Sequence, residues 1–222
     1  MIVAERKPYD DIRTIIGPFD RILVFGCGGC VTVCSTGGEK EAQILACQLS
    51  ITDAKEGRSR EYIVKTVERQ CEREFLAEAD AEITAADAVL SLACGAGVNL
   101  IAETFPAKPA LPAMNTTFLA AGGAPGAWAE RCSGCGDCVL HLTGGICPVS
   151  RCAKSILNGP CGGSRDGKCE IGDDVDCAWV LILERMKTLG LMDKYAQIAA
   201  AKDWRPGGHG GPRKMTREDL AV

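Results

Sequence analysis

Two domains of different character are predicted, an α/β domain with a parallel sheet over residues 1–120 and a cysteine-rich domain over residues 128–192. Three observations predict them. In the first half, short apolar runs alternate with segments of helical period. The stretch Ala120-Ala-Gly-Gly-Ala-Pro-Gly-Ala127 then interrupts the chain with small, turn-forming residues. Beyond it periodicity fades, and eight of the chain's 14 cysteines crowd into the segment from Cys132 to Cys177.

The elements of the first half follow in order. Residues 21–25 form an apolar run that stops at Gly26, as a buried strand does. Residues 39–49 carry Ala42, Leu45, Ala46 and Leu49 at i, i+3, i+4 and i+7, which predicts a helix. A second strand is expected over 62–67 and a helix over 68–79. Residues 88–92 predict a third strand, 98–104 a short helix and 110–114 a fourth strand. Such alternation builds a flavodoxin- or Rossmann-like sheet flanked by helices, with right-handed crossovers. In the second half a helix is expected over 178–189, with Trp179, Leu183 and Met186 on one stripe and Gly190 as its stop. Residues 193–222 read as a tail. Its glycine-rich part, 205–212, has no core-forming content and is expected to be a loose end or a partner-docking arm.

The bulk numbers exclude several functions. With 46% hydrophobic and 24% charged residues the chain is an ordinary globular one. A net charge of −4 with no basic stripe argues against nucleic acid and anionic membranes. Aromatics at 5% argue against a base-stacking platform. No apolar run is long enough for a signal peptide or a bilayer span, so a cytoplasmic location is expected. In a reducing cytosol, many thiols mean bound metal rather than disulfides. A secreted disulfide scaffold is the alternative, disfavoured by the length of the chain and the α/β opening.

The thiol spacings sharpen that reading. Cys132-x2-Cys135-x2-Cys138 is the spacing with which bacterial ferredoxins wrap one corner of a [4Fe–4S] cluster. Cys147-Pro148 echoes the Cys-Pro that closes that run, across a longer gap. Cys152, Cys161, Cys169 and Cys177 complete eight thiols, enough for two clusters. The expected partition is Cys132, Cys135 and Cys138 with Cys177, and Cys147, Cys152 and Cys161 with Cys169. Zinc is the competing metal, since it also takes four thiolates, although it favours paired Cys-x2-Cys knuckles. In the first half, Cys27, Cys30 and Cys34 follow the first strand, Cys71 lies near the start of the second helix, and Cys94 follows the third strand. A parallel sheet brings these loops to one carboxyl edge, where helix N-termini favour an anionic cluster. A third cluster is expected there on Cys27, Cys30, Cys34 and Cys94, with Cys71 in reserve. Cys47, mid-helix among apolar residues, is expected to be a small buried hydrophobe.

Other signals carry little. Gly162-x4-Gly167-Lys168 imitates a phosphate loop, but Cys169 stands where a hydroxyl residue is needed and no strand precedes it. His141 and His209 are the only histidines, and no carboxylate pair stands out for acid–base work. The expected cargo is electrons.

Cys135-Gly-Asp-Cys138, Thr143-Gly-Gly-Ile-Cys147-Pro, Arg151-Cys-Ala-Lys-Ser155, Leu157-Asn-Gly-Pro-Cys161-Gly-Gly-Ser164 and Gly167-Lys-Cys-Glu170 resemble the cysteine-rich methylene-tetrahydrofolate reductase C-terminal domain. Phe25-Gly-Cys-Gly-Gly-Cys-Val31, Gly37-Gly-Glu-Lys-Glu41, Glu68-Arg-Gln-Cys71 and Leu92-Ala-Cys-Gly95 resemble the rest of the small iron–sulfur subunit of the acetogen-type enzyme. The resemblance implies a heteromeric oxidoreductase of one-carbon metabolism. Its active site would lie on a TIM-barrel flavoprotein partner, which reduces 5,10-methylenetetrahydrofolate to 5-methyltetrahydrofolate. This chain would then be a non-catalytic electron-transfer subunit supplied by a ferredoxin or a dehydrogenase subunit. Alternatives keep the clusters but change the acceptor, to a corrinoid protein or a heterodisulfide-reductase-like module, or make the chain a zinc-stabilised scaffold.

Overall fold

The computed structural model describes residues 1–124, 126–217 and 219. The chain opens with β1 (Ile2–Arg6) and α1 (Tyr9–Ile15). Neither is predicted from the sequence, because only Ile2, Val3 and Ala4 of β1 are apolar and the seven residues of α1 make under two helical turns. The expected first strand is β2 (Arg21–Cys27), two residues longer than its apolar run. After it come α2 (Cys30–Val33), α3 (Glu39–Lys55), β3 (Glu61–Val67), α4 (Arg73–Ala77) and α5 (Asp80–Ala85). Then follow β4 (Ala88–Ser91), α6 (Gly95–Thr104), β5 (Ala110–Pro112) and β6 (Met114–Gly122).

The parallel sheet is present, in the order β3-β2-β4-β5. Strand β2 is central: Arg21 to Cys27 pair with Glu61 to Val67 on one side, and Ile22 to Phe25 with Ala88 to Ser91 on the other. It is buried from Ile22 onward, as a strand covered on both faces must be. Its side chains alternate between two cores. Ile22 and Val24 pack with Ala42, Leu45 and Leu49 of α3, while Leu23 and Phe25 pack with Leu76, Ile83 and Ile101 of α4, α5 and α6. Each such fully buried Val, Leu, Ile or Phe side chain contributes about 1.5–3 kcal/mol.

Several expectations need correction. The helix expected over 68–79 begins only at Arg73, so Cys71 sits in the turn before it. Cys47 lies on α3 but is exposed. The buried stripe of that helix is Ala42, Leu45, Ala46, Leu49 and Asp53, and a residue one step beyond Ala46 is rotated about 100° off it. The fourth expected strand is split at Ala113 into β5 and β6, and β6 runs on through Gly122 into the presumed linker.

The chain divides into two units, one of Met1–Phe118 with Gly123–Trp128, the other of Leu119–Gly122 with the residues from Ala129 onward. The second unit continues through β7 (Trp128–Cys132), α7 (Pro148–Arg151), β8 (Lys168–Cys169), β9 (Gly172–Asp176), α8 (Ala178–Thr188) and α9 (Met192–Tyr195). β8 and β9 are antiparallel. Only α8 has the length expected of a self-supporting element. Its stripe includes Trp179 and Met186 as predicted, with Ile182 rather than Leu183 fully buried between them.

The tail is not loose within this unit. Lys202 is almost wholly buried at its side chain and pairs with Asp137 at 3.3 Å. Arg213 donates to the carbonyls of Gly134 and Pro206. Glu218 and residues 220–222 of the expected docking arm lie outside the described residues. No helix among the described residues is long and apolar enough to cross a membrane.

Candidate metal centres

In the first unit the strand order creates the candidate site. The chain goes from β2 to β3 on one side, then crosses to β4 on the other, so the sheet has its switch point at the carboxyl ends of β2 and β4. Cys27 is the last residue of β2, and Cys94 caps α6 just past β4. Cys71 lies in the turn between β3 and α4. Three thiol residues thus stand on three adjacent loops of one edge, with Cys30 starting α2 beside them.

Gln70 holds that edge together, and nothing in the sequence pattern marks it. It is fully buried. Its amide donates to the carbonyls of Phe25 and Gly26 at 2.8 and 2.9 Å, and its carbonyl accepts from Ser91 Oγ at 2.6 Å. One side chain therefore ties the ends of β2 and β4 to the loop that carries Cys71. Its only sequence cue is its place beside a cysteine.

The thiols do not all face the same way. Cys34 ends α2, is buried, and its Sγ donates to the Ile2 carbonyl at 3.6 Å. Burial pushes its pKa up, the Cys30 thiol adds to the push, and a backbone N–H of Ala4 opposes it. Cys71 is exposed as a residue, yet desolvation raises its pKa first, followed by the Cys94 and Cys27 thiols. Both thiols thus feel members of the expected set, Cys71 feeling Cys94 and Cys27, and Cys34 feeling Cys30.

Gly37 allows this crowding. Its carbonyl accepts from Cys27 N–H at 2.9 Å, and a Cβ added to it would sit 2.0 Å from the Leu92 carbonyl oxygen. Gly37→Ala should therefore drive the end of β4 from the loop after β2. A loss of about 3 kcal/mol, read from denaturant midpoints, is expected. An unchanged midpoint would refute the close approach.

In the second unit the thiols fall on short elements. Cys132 ends β7, and Cys135 and Cys138 follow in a loop where Gly134 N–H donates to Cys132 Sγ at 3.4 Å. This loop lies under the chain's later segment: Gly136, at φ +79°, would meet Pro206 at 2.5 Å if it carried a Cβ, and Gly207 lies against Cys135. Lys202 and Arg213 bring two cations to the loop. Cys147 caps the start of α7, where its Sγ accepts from Ser150 N–H at 3.5 Å, and Cys152 caps the other end. Cys161 follows Pro160 in a loop, Cys169 lies in β8, and Cys177 caps α8. Cys152, Cys161, Cys169 and Cys177 together line one small cavity of about 20 Å³.

The donor chemistry suits an iron–sulfur cluster. Every candidate ligand is a free thiol. Among the described residues no three His, Cys, Asp or Glu side chains converge tightly enough to hold one ion. Cubane ligands bind separate irons, so they border a common space without meeting at a point.

Residues 111–205 match the family model described as "Methylene-tetrahydrofolate reductase C terminal". That span contains all eight cysteines of the second unit. No curated protein and no solved structure matches the chain.

Proposed function

We propose, with the family match over residues 111–205 as premise, that the chain is the electron-transferring iron–sulfur subunit of a cytoplasmic methylenetetrahydrofolate reductase. Its acceptor is the flavin of a TIM-barrel partner subunit. There 5,10-methylenetetrahydrofolate takes up two electrons and two protons to become 5-methyltetrahydrofolate. The donor is a ferredoxin or a dehydrogenase subunit. The observation that carries this reading is that the matched segment is the thiol-dense one, so the family relation and the metal chemistry fall on the same residues.

Bound [4Fe–4S] clusters supply one-electron transfer, at potentials set by hydrogen bonds and charge around the sulfurs. The chain's own residues hold and shield them. Cys132, Cys135, Cys138, Cys147, Cys152, Cys161, Cys169 and Cys177 are ligands for two clusters. Cys27, Cys30, Cys71 and Cys94 hold a third, with Cys71 taking the place expected of Cys34. Support for that exchange is the placement of Cys71 on the loop beside Cys27 and Cys94, and the turn of Cys34 toward Ile2. Lys202 and Arg213 keep positive charge and protein cover on the Cys132–Cys138 loop, which raises the ease of reduction and limits access of oxygen.

Anaerobic co-expression with the flavoprotein tests the proposal. The chain should carry about twelve irons with matching inorganic sulfide. The partner's flavin should be reduced by reduced ferredoxin only when this chain is bound. A sulfide-free, colourless chain, or flavin reduction that proceeds equally without it, would end this reading.

A further inference from the structure

We propose that Cys152, Cys161, Cys169 and Cys177 hold one [4Fe–4S] cluster as a closed set of four, leaving Cys132, Cys135, Cys138 and Cys147 for the other. This rests on the iron–sulfur reading above and goes further by assigning the ligands. It also departs from the partition that ferredoxin-like spacing implies, in which Cys177 joins the Cys132 group.

The first support is the shared cavity. It is bordered by these four thiol residues, with Ile171 and Trp179 among its walls, and by none of the other cysteines. Distant parts of the chain are brought there by identifiable contacts. The β8–β9 hairpin pairs Lys168 with Asp176, and Cys177 N–H donates to the Gly167 carbonyl at 2.8 Å. The hairpin therefore returns Cys177 to Gly167, two positions from Cys169, although eight positions separate the two cysteines along the chain. Trp179 anchors the loop that leads to Cys161: its Nε1 donates to the Ile156 carbonyl at 3.2 Å, and Gly159 lies so close to the indole that a Cβ would sit 2.4 Å from it. Cys152 packs on the same apolar cluster as Cys177 and Trp179.

Helix α7 supplies the second support. Cys147 caps its start, where its Sγ accepts from Ser150 N–H at 3.5 Å, and it does not border the cavity that Cys152, at the other end, lines.

Charge is the third. Cys177 caps α8, an 11-residue helix whose cap side chain makes no hydrogen bond to it. The positive end of that helix lies at Cys177. Lys154 Nζ pairs with the Glu170 carboxylate, and both residues border the same cavity as the thiols. A cubane with four thiolates is an anion, and both features favour it.

Iron counting on the full chain, purified without oxygen, separates the partitions. Cys152→Ala and Cys177→Ala should each remove about four irons, and together still about four. Cys132→Ala with Cys177→Ala should remove about eight. If that second pair removes only about four, the assignment is overturned. Should a variant fail to fold, wild-type protein gives the same answer: under graded chelation, with alkylation mapped by mass spectrometry, Cys152, Cys161, Cys169 and Cys177 should become reactive as one group. Reactivity of Cys177 in step with Cys132 would overturn the assignment. Wild-type chain holding zinc and no sulfide would instead defeat the iron–sulfur reading itself, a result distinct from a wrong partition.

Discussion

Stripping the iron of the proposed clusters from the oxygen-free chain should abolish ordered structure between Cys132 and Cys177 and leave the parallel-sheet unit folded. The second unit has little else to hold it. Its buried apolar cluster consists of Cys177, Trp179, Ile182 and Met186, with partly buried neighbours such as Ile146 and Ile156. Helix α7 has four residues and β8 has two, well short of lengths that persist alone. Structural metal sites in small domains contribute about 10 kcal/mol or more, which exceeds what such a core supplies. The first unit, by contrast, has apolar clusters on both faces of its sheet. Limited proteolysis before and after chelation, read by mass spectrometry, checks the difference. Cuts should appear throughout residues 132–177 of the stripped chain while residues 21–112 stay protected. Equal protection of both segments would mean that packing alone folds the second unit.

Arg60→Ala should cost about 3–5 kcal/mol, the usual consequence of leaving one half of a buried ion pair without the other. Asp53 of α3 and Arg60 are both almost inaccessible at their side chains, 5% and 7%, and meet at 3.2 Å. Arg60 also donates to the carbonyls of Gly17 and Phe19, at 2.7 and 2.9 Å. Tyr62 of β3 donates its hydroxyl to the other Asp53 oxygen at 2.6 Å. The network thus joins the loop after α1, the end of α3 and the start of β3. Removing Arg60 and Asp53 together should cost less than removing Arg60 alone, because no lone carboxylate remains buried. A double variant as unstable as the sum of the singles would show that the two act independently.

The same network predicts a pH dependence. Burial first, and then Asp53, push the Tyr62 hydroxyl above its ordinary value. A raised folded pKa stabilises the protein while the unfolded tyrosine is still protonated, below about pH 10. That stability is lost as pH rises from there, because the unfolded chain can release the proton and the folded one resists it. Tyr62→Phe should therefore be less stable than the wild type at neutral pH, by about 1.5–3 kcal/mol. The difference should shrink in denaturation series above pH 10. A constant difference would detach the hydroxyl from the effect.

By itself the sequence determined those features that repeat along the chain. The apolar run of β2, the Ala42–Leu45–Ala46–Leu49 stripe and the stripe of α8 follow from local period, since neighbouring side chains alternate or wind at a set angle whatever lies beyond them. The cysteine spacings likewise pointed to metal, because thiols three positions apart can reach one group. Tertiary structure alone decided which thiols share a loop edge or a cavity. The sequence favours Cys34 and keeps Cys71 in reserve, whereas the fold sets Cys34 Sγ against the Ile2 carbonyl and Cys71 in the turn between β3 and α4. Cys152, Cys161, Cys169 and Cys177 gather because a two-strand hairpin reverses the chain and an indole braces a glycine. Loops of glycine, proline and charged residues carry no period, so where they return is settled by contacts between residues far apart in the chain.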